Sequence, residues 1–373
     1  MNRYRILLIL PSFDSGGAEN YALRLINFAG HERYEWHVTS GNLQNAQLRP
    51  AFLAAGAHVH SQTTGYFNPK KATRFFRFLK KYNFDVVVSF NSVYSAPAML
   101  ISWTLGIPRR VTWHRCWKPA TPKSLLKAIY QIAAIKIIEV CSNKILSNSK
   151  AALSLFHSQH LHKENQFQII PNGLDPALFP EIDEGAKARL REKLGIPNDA
   201  IVIGHVGRFV PDKDHKTLLK VVRNIVQKNN KVRLLAAGSG TESAEFAELV
   251  INYSLEDVTT RVGSVDNINE LYQIMDLFIF PSITESQANA LIEAMICSVP
   301  IVVSDIPPNR ETIPRVLEQN LFEPGDFVGA TKIAIRLLSE RSVESRHLTK
   351  LWAEKKYDAS RNFSAAINAM IDK

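Results

Sequence analysis

Cysteine is scarce: 373 residues hold three, Cys116, Cys141 and Cys297, too few and too scattered for a disulfide framework or a four-ligand zinc site. Such usage points to a reduced, cytoplasmic chain. Long apolar runs are missing as well. The nearest, "LLKAIYQIAAIKIIEV" at 125–140, is cut by Lys127, Lys136 and Glu139, so nothing reads as a membrane span. The basic start "MNRYRILLILPS" has five apolar residues before Pro11, which fits a first β-strand better than a secretory signal. There is no internal repeat or low-complexity tract, and the G-x-G-x-x-G fingerprint is absent, which counts against NAD. Acidic residues are few in the first half: residues 1–180 hold 21 Lys and Arg against 8 Asp and Glu, and the remainder holds 24 against 27. The formal net charge of +10 therefore rests on the N-terminal half and calls for an anionic partner there.

What is present is ordinary globular material, 46% hydrophobic and 21% charged, long enough for two domains of about 150 residues each. Strand patterns at "YRILLIL", "WHVTS", "AHVHS", "DVVVSF", "RRVTWH", "KILSNS" and "FQIIPNG" alternate with helical segments. The pattern plays a second time at "AIVIGHVG", "VRLLAAG", "TRVGSV", "LFIFPS", "PIVVSD" and "NLFEP". Continuous apolar runs separated by helix-length segments predict parallel sheets covered on both faces, so the expected fold class is α/β with two Rossmann-like, doubly wound domains. The turn-rich stretch 171–200 separates them. The expected division is 1–175 for the first domain, 176–355 for the second and 356–373 for a C-terminal helix packing back on the first. Open sheets bind ligands at the carboxyl ends of their strands, so both domains are expected to present those loops to a central cleft.

Several loops carry residues suited to that task. Gly16 and Gly17 lie between the first strand and a helix expected from about Ala18, where backbone N–H groups can approach a phosphate; a simple tight turn explains them equally. In "GHVGRFVPDKDHKTLL", Gly207 and Arg208 follow an apolar strand and Lys213 stands just before a helix. Two cations in a partly desolvated loop suit a diphosphate, the alternative being a solvated loop. The Asp212 and Asp214 pair resembles a metal motif, but with Lys213 between them and Arg208 and His215 nearby it is a poor place for a divalent cation. His114 ends a first-domain strand and can exchange a proton near neutral pH, with His205 and His215 as its nearest rivals.

The segment "LFIFPSITESQANALIEAMICSVPIVVSD" reads as strand, loop, helix and strand, with the helix beginning near Gln287. Glu285 would then stand just before the helix and Glu293 about two turns inside, on related faces, so that both carboxylates reach one elongated ligand. The first-turn amides at Ser286, Gln287 and Ala288 would point at whatever the loop binds. A carboxylate accepts two hydrogen bonds from vicinal hydroxyls, which suits ribose at one glutamate and a hexose at the other.

On these residues the chain resembles the retaining, GT-B-fold glycosyltransferases of family 4, the group 1 glycosyltransferases. The resemblance runs from the GGAE loop to about residue 325, and the Glu285-x7-Glu293 segment followed by "PIVVSD" is its most specific part. It implies a nucleotide-sugar donor held mainly by the second domain, without a metal or other cofactor. Arg208 and Lys213 would neutralise the diphosphate leaving group, Glu293 would hold the ribose, and backbone near Val262 and Gly263 would receive the base. Glu285 and the amides of Ser286, Gln287 and Ala288 would hold the transferred sugar and a phosphate, with Asn289 in its family place. From the first domain Gly16 and Gly17 would approach the donor, and His114 matches a catalytic or sugar-orienting histidine. Ser286 and Gln287 depart from the family's usual glycine and small or aromatic residue, so the sugar pocket is altered, and Asp214 replaces a frequent glycine.

The implied activity is transfer of a hexose-type sugar, with retention, to a glycan or lipid-linked acceptor during assembly of a bacterial surface polysaccharide such as O-antigen, capsule or lipopolysaccharide. The basic N-terminal half fits peripheral attachment to the inner face of the cytoplasmic membrane. Residues 69–82 set Lys70, Lys71, Arg74, Arg77, Lys80 and Lys81 around an aromatic stripe of Phe75, Phe78 and Tyr82, and 105–150 holds nine basic residues and one acidic. The alternative is a helix that packs its phenylalanines on the sheet and solvates its lysines. Nucleic acid is not an expected partner, since no recognition motif accompanies the charge. Two other functions fit the fold, a nucleotide-sugar epimerase and a non-catalytic sugar-binding protein.

Overall fold

The computed structural model describes residues 3–14, 16–41, 46–65, 68–115, 125–158, 165–265, 267–340 and 343–372; Cys116 lies outside them. The chain divides into two compact units, Met1–Gly173 with Ala359–Lys373, and Leu174–Asp358.

The first unit runs β1 (Tyr4–Ile9), α1 (Gly17–Ala29), β2 (Tyr34–Thr39), α2 (Arg49–Ala54), β3 (His58–His60), α3 (Pro69–Tyr82), β4 (Val86–Ser89), α4 (Ala96–Thr104), β5 (Arg109–His114), α5 (Leu125–Cys141), β6 (Lys144–Ser147), α6 (Lys150–His157) and β7 (Phe167–Ile169). The strands form one parallel sheet in the order β3-β2-β1-β4-β5-β6-β7. Because successive side chains point to opposite faces, Ile6, Leu8, Val86 and Val88 build one core while Leu7, Ile9 and Val87 build the other. Tyr21, Ala22, Leu25 and Ile26 of α1 cover the first face. Phe75, Phe78 and Leu79 of α3, with Ala98 and Met99 of α4, cover the second.

The second unit runs α7 (Glu184–Lys193), β8 (Ile201–Val206), α8 (His215–Val226), β9 (Val232–Ala237), α9 (Ala244–Asn252), β10 (Thr259–Gly263), α10 (Ile268–Gln273), β11 (Leu277–Phe280), α11 (Asn289–Ile296), β12 (Ile301–Ser304), α12 (Pro307–Thr312), β13 (Leu321–Phe322), α13 (Phe327–Glu340) and α14 (Val343–Lys356). Its parallel sheet has the order β10-β9-β8-β11-β12-β13. Leu291 and Met295 of α11 and Ala353 of α14 cover one face, and Leu218, Val222, Phe246 and Ala330 cover the other.

The last helix, α15 (Ala359–Ile371), belongs to the first unit, where Phe363, Ala366, Ile367 and Met370 join the α1 face of the core. The chain leaves the second unit at Tyr357, whose carbonyl accepts from Leu174 N at 2.8 Å and whose hydroxyl donates to Thr312 O at 2.8 Å. Helix α14 had no clear signal in the sequence: its residues are charged on every side, and Thr349 and Ala353 are its buried members.

In each sheet the strand order reverses once, between β1 and β4 in the first unit and between β8 and β11 in the second. Loops at the carboxyl ends of those four strands flank the two switch points, where an open α/β sheet has room for a ligand.

Candidate functional site

At the second switch point the loops after β8 and β11 meet. Lys213, in a 3₁₀ turn after β8, forms an ion pair with Glu285 Oε1, in the loop after β11, 72 positions away. Its ammonium also lies 5.3 Å from the centre of the Phe280 ring. A backbone bond from Ile283 N to Asp212 O, 2.9 Å, fixes the same two loops together. Lys213 and Glu285, given separate ligand roles on sequence grounds, are therefore each other's partner. Arg208 is exposed on the same loop and makes no ion pair among the described residues.

The loop shape has a local cause. Asp214 takes a left-handed conformation, φ +45°, which explains why glycine suits this position and why aspartate, tolerant of that region, can replace it. It also caps α8: Thr217 N donates to Oδ1 at 3.3 Å and Thr217 Oγ1 to Oδ2 at 2.6 Å. Its carboxylate is thus a helix cap.

Neighbouring turns support the loop from behind. Gly207 N donates to Ala237 O at 2.9 Å and Phe209 N to Ser239 O at 2.8 Å, so the turn after β9 backs onto the turn after β8. Gly238 has φ +122°, and a Cβ there would strike the Gly207 carbonyl, so only glycine fits. This residue escaped the sequence reading, though the "GSG" after a strand was its available signal. Gly263 is tied in too, its N–H donating to Thr241 Oγ1 at 3.0 Å and its carbonyl accepting from Gly238 N at 2.7 Å. Both backbone groups of Gly263 are thus committed inside the protein. Val262 sits at a break in the β9–β10 register, between Arg261 and Gly263.

Helix α11 begins at Asn289, two residues later than expected. Ser286, Gln287 and Ala288 are buried residues of the preceding bend, so the first-turn amides belong to Asn289, Ala290 and Leu291. The polar, non-helical Ser286 and Gln287 end the loop, and Ala288 occupies the N-cap. Glu293 then lies little more than one turn into the helix, and Glu285 is outside it. The two carboxylates do not share a helix face; the fold, rather than helical periodicity, sets their relation. Glu293 is half-buried and accepts from the hydroxyl of the fully buried Tyr272 at 3.0 Å. Burial and the Glu293 charge hold the Tyr272 hydroxyl well above the usual phenol range. They likewise push the Cys297 thiol up to about 12. Tyr272 had no sequence signal.

His205 and His215, the rival histidines, are buried on this unit, His205 bonded to Ile279 O at 2.9 Å. Burial, with Lys213 close by, lowers His215 to about 4, so its ring is neutral at pH 7.

In the first unit, Gly16 is the N-cap of α1, and a Cβ there would meet the Glu19 carboxylate; at Gly17 a Cβ would meet open space. Glu19 is buried and accepts from Ser12 N at 3.1 Å and Ser12 Oγ at 2.9 Å, tying the loop after β1 to the helix. The pair of glycines thus divides its work: Gly16 makes room for the acid and Gly17 leaves the helix entrance open.

His114 stands at the carboxyl end of β5, as expected, but it is completely buried. Ser92 Oγ is 2.8 Å from its Nδ1, His157 Nε2 is 3.0 Å from its Nε2, and Glu139 Oε1 is 2.8 Å from His157 Nδ1. A carboxylate can only accept, so His157 Nδ1 donates to Glu139. With both rings neutral, His157 Nε2 accepts from His114 Nε2–H and His114 Nδ1 accepts from the Ser92 hydroxyl. Burial drives His114 well below the usual histidine range, in keeping with a neutral ring. The expectation is of a histidine that exchanges a proton with a ligand; in this structure both of its nitrogens are engaged within the protein. The relay ends at Ser92, which follows β4, has φ +52° and is 7% exposed. The next residue, Arg115, lies 4.0 Å over the Tyr21 ring and donates from Nη2 to Asn172 Oδ1 at 2.8 Å.

Helix α3 presents Lys70, Lys71, Arg74, Arg77, Lys80 and Lys81 to solvent, and none pairs with a carboxylate among the described residues. Phe75 and Phe78 are in the core, so the aromatic stripe faces the sheet, while the basic residues face outward with the exposed Phe76 among them. Arg74, Arg77 and Lys81 line a depression of about 360 Å³ with His60, Gln62 and Tyr82. On α4 and α5, which follow on this side of the sheet, Trp103, Leu125, Ile129 and Ile132 are exposed. No helix among the described residues is long and apolar enough to cross a membrane.

Comparison with known proteins gives a consistent result. The family model described as "Glycosyltransferase Family 4" matches residues 15–178, and that described as "Glycosyl transferases group 1" matches residues 186–355, together most of the chain. EpsF of Bacillus subtilis is 24% identical over 98% of this chain and 95% of its own. CapH of Staphylococcus aureus, a capsular polysaccharide biosynthesis glycosyltransferase, is 23% identical over 86% of each. Among solved structures, HepE of Anabaena in complex with UDP and glucose superposes with a TM-score of 0.80 and 17% identity over the whole of both chains.

Proposed function

The chain belongs to the group 1, family 4 glycosyltransferases and has their two-domain, Rossmann-like GT-B fold, and from that premise we propose that it moves a hexose-type sugar, with retention and without a metal, from a nucleotide diphosphate to a glycan or lipid-linked acceptor in bacterial surface polysaccharide assembly. The observation that carries this reading is the Lys213–Glu285 pair at the second switch point. A diphosphate brings charge that needs fixed cations in a partly desolvated place, and Lys213 is held there by Glu285 while Arg208 stands exposed on the same loop. When the donor binds, Lys213 turns from carboxylate to phosphate, and Glu285 is released to accept hydrogen bonds from sugar hydroxyls. Glu293, oriented by Tyr272, holds the ribose, Val262 receives the base, and the bend Ser286–Gln287–Ala288 with Asn289 shapes the sugar pocket.

CapH, by its name, acts in capsular polysaccharide biosynthesis, and HepE was solved with UDP and glucose; both support a nucleotide-sugar donor and a polysaccharide product here. The exposed cations of α3 and the exposed apolar residues of α4 and α5 support peripheral attachment to an anionic membrane face. The test is a thermal-shift screen against UDP, GDP and ADP and their sugars. A ligand at about 100 times its Kd adds about 2.7 kcal/mol to stability, so one nucleotide should raise Tm clearly. Turnover of its sugar should then yield transfer to an acceptor extract; no shift with any of them, or release of a free epimer without acceptor, would overturn the reading.

A further inference from the structure

Four residues at the edge of the first sheet are left unused by the transferase reading. Glu35 and His37 on β2, and His58 and His60 on β3, lie two apart on each strand, so all four side chains project from one face. The register pairs His37 directly with His58 and Thr39 with His60. His37 is buried, whereas His58 and Glu35 reach solvent.

The distances gather three donor atoms around one point. His37 Nε2 is 3.0 Å from Glu35 Oε1, His58 Nε2 is 4.0 Å from the same oxygen, and all three atoms lie within 4.8 Å of one another. Zinc bonds of about 2.0–2.1 Å at tetrahedral angles put ligand atoms about 3.4 Å apart, so the set closes with a small swing of the exposed His58. Arg5 approaches the other carboxylate oxygen, Oε2, at 3.5 Å and leaves Oε1 to the cluster. His37 Nδ1 is 2.8 Å from His60 Nε2. A carboxylate can only accept, so without a metal His37 Nε2 donates to Glu35 Oε1 and His37 Nδ1 accepts from His60 Nε2–H. A metal ion would take the place of that Nε2 proton, with His37 Nδ1–H then donating to His60 Nε2, and outer partners of this kind are what orient a metal-bound histidine.

We propose that Glu35, His37 and His58 form a binding site for a borderline divalent transition metal of the zinc class, with His60 as the partner that sets the His37 tautomer. Two imidazoles and one carboxylate suit zinc, cobalt or nickel and disfavour magnesium and calcium, which take oxygen sets. The bound ion clips the three-residue edge strand β3 to β2 and keeps one coordination position for water. The site lies in the first unit, and the proposed diphosphate chemistry in the second does not depend on it.

The experiment uses untagged full-length protein, stripped with chelator and titrated with Zn²⁺ by calorimetry and with Co²⁺ by visible absorption. One equivalent should bind at micromolar or tighter concentration, and Co²⁺ should show the intense bands of a four-coordinate ion. Glu35→Gln and His58→Ala, both at solvent-reaching side chains, should each weaken binding on the order of 100-fold, and His60→Ala on the order of tenfold. His347→Ala, at an exposed histidine of the second unit, should change nothing. Absence of saturable binding, or one-equivalent binding that survives both Glu35→Gln and His58→Ala, would overturn the assignment.

Discussion

Replacing Lys213 tests the keystone of the second unit before any ligand is added. The lysine and Glu285 side chains are 18% and 12% exposed, so the pair stands between a surface ion pair and a fully buried one. Surface pairs contribute about 0–1 kcal/mol, and breaking a buried pair costs about 3–5 kcal/mol; the coupling here should be about 2 kcal/mol. Lys213→Ala also forfeits the contact over Phe280, about 0.5–1 kcal/mol, and strands the Glu285 carboxylate, for a total of about 2–3 kcal/mol. Glu285→Gln keeps a hydrogen-bond acceptor and should cost about 1–2 kcal/mol. The double variant should cost no more than Lys213→Ala alone, because it leaves no stranded charge. For a unit of this size each kcal/mol moves Tm by about 2–4 °C, so calorimetry on the four proteins resolves the cycle. Strictly additive single effects would show that the two side chains do not depend on each other, and the proposed storage of Lys213 by Glu285 would fall.

Three further outcomes follow from the same structure. Treatment with EDTA should leave sugar transfer intact if, as proposed, Arg208 and Lys213 supply the diphosphate charge; strong inhibition would restore a metal to the mechanism. Sedimentation with liposomes should require anionic lipid and weaken with salt, and charge reversal at Arg74 and Arg77 should reduce it; equal binding to neutral vesicles would remove the electrostatic role of α3. His215 is lowered from 6.5 to about 4 in the folded protein, so between those values the unfolded chain binds more protons and stability falls as pH falls. In a pH series of urea unfolding, His215→Phe should reduce that slope by about 1.4 kcal/mol per pH unit at most, and an unchanged slope would place the titration elsewhere.

Much of the fold was legible because the parallel strands are buried on both faces. Runs such as "VVVS" and "LFIF" are strands whose every residue is buried, and no other element accommodates them so well. The loops at Gly207 and Glu285 were legible as loops for the same reason, each standing after such a run. Their pairing was not, since a link across 72 positions depends on β8 and β11 being neighbours, and strand order leaves no local trace. His114 shows the same limit: its place at a strand end was readable, but Ser92, His157 and Glu139 come from three other elements and together close it off from solvent. The start of α11 was misplaced because Ser286 and Gln287 are compatible with a first helical turn, while the bend that carries them is fixed by the tertiary structure. The phenylalanines of α3 illustrate an ambiguity of amphipathic patterns, whose apolar stripe reads alike whether it meets a sheet or a lipid surface.

The central claim is that Lys213 carries the diphosphate of a nucleotide-sugar donor. Calorimetric titration of UDP, GDP and ADP into the wild-type protein and into Lys213→Ala measures this directly. The expected result is one nucleotide that binds the wild type and loses affinity on the order of 100-fold or more in the variant, as removal of one partner of a desolvated charge pair requires. Equal dissociation constants for the two proteins would contradict the claim.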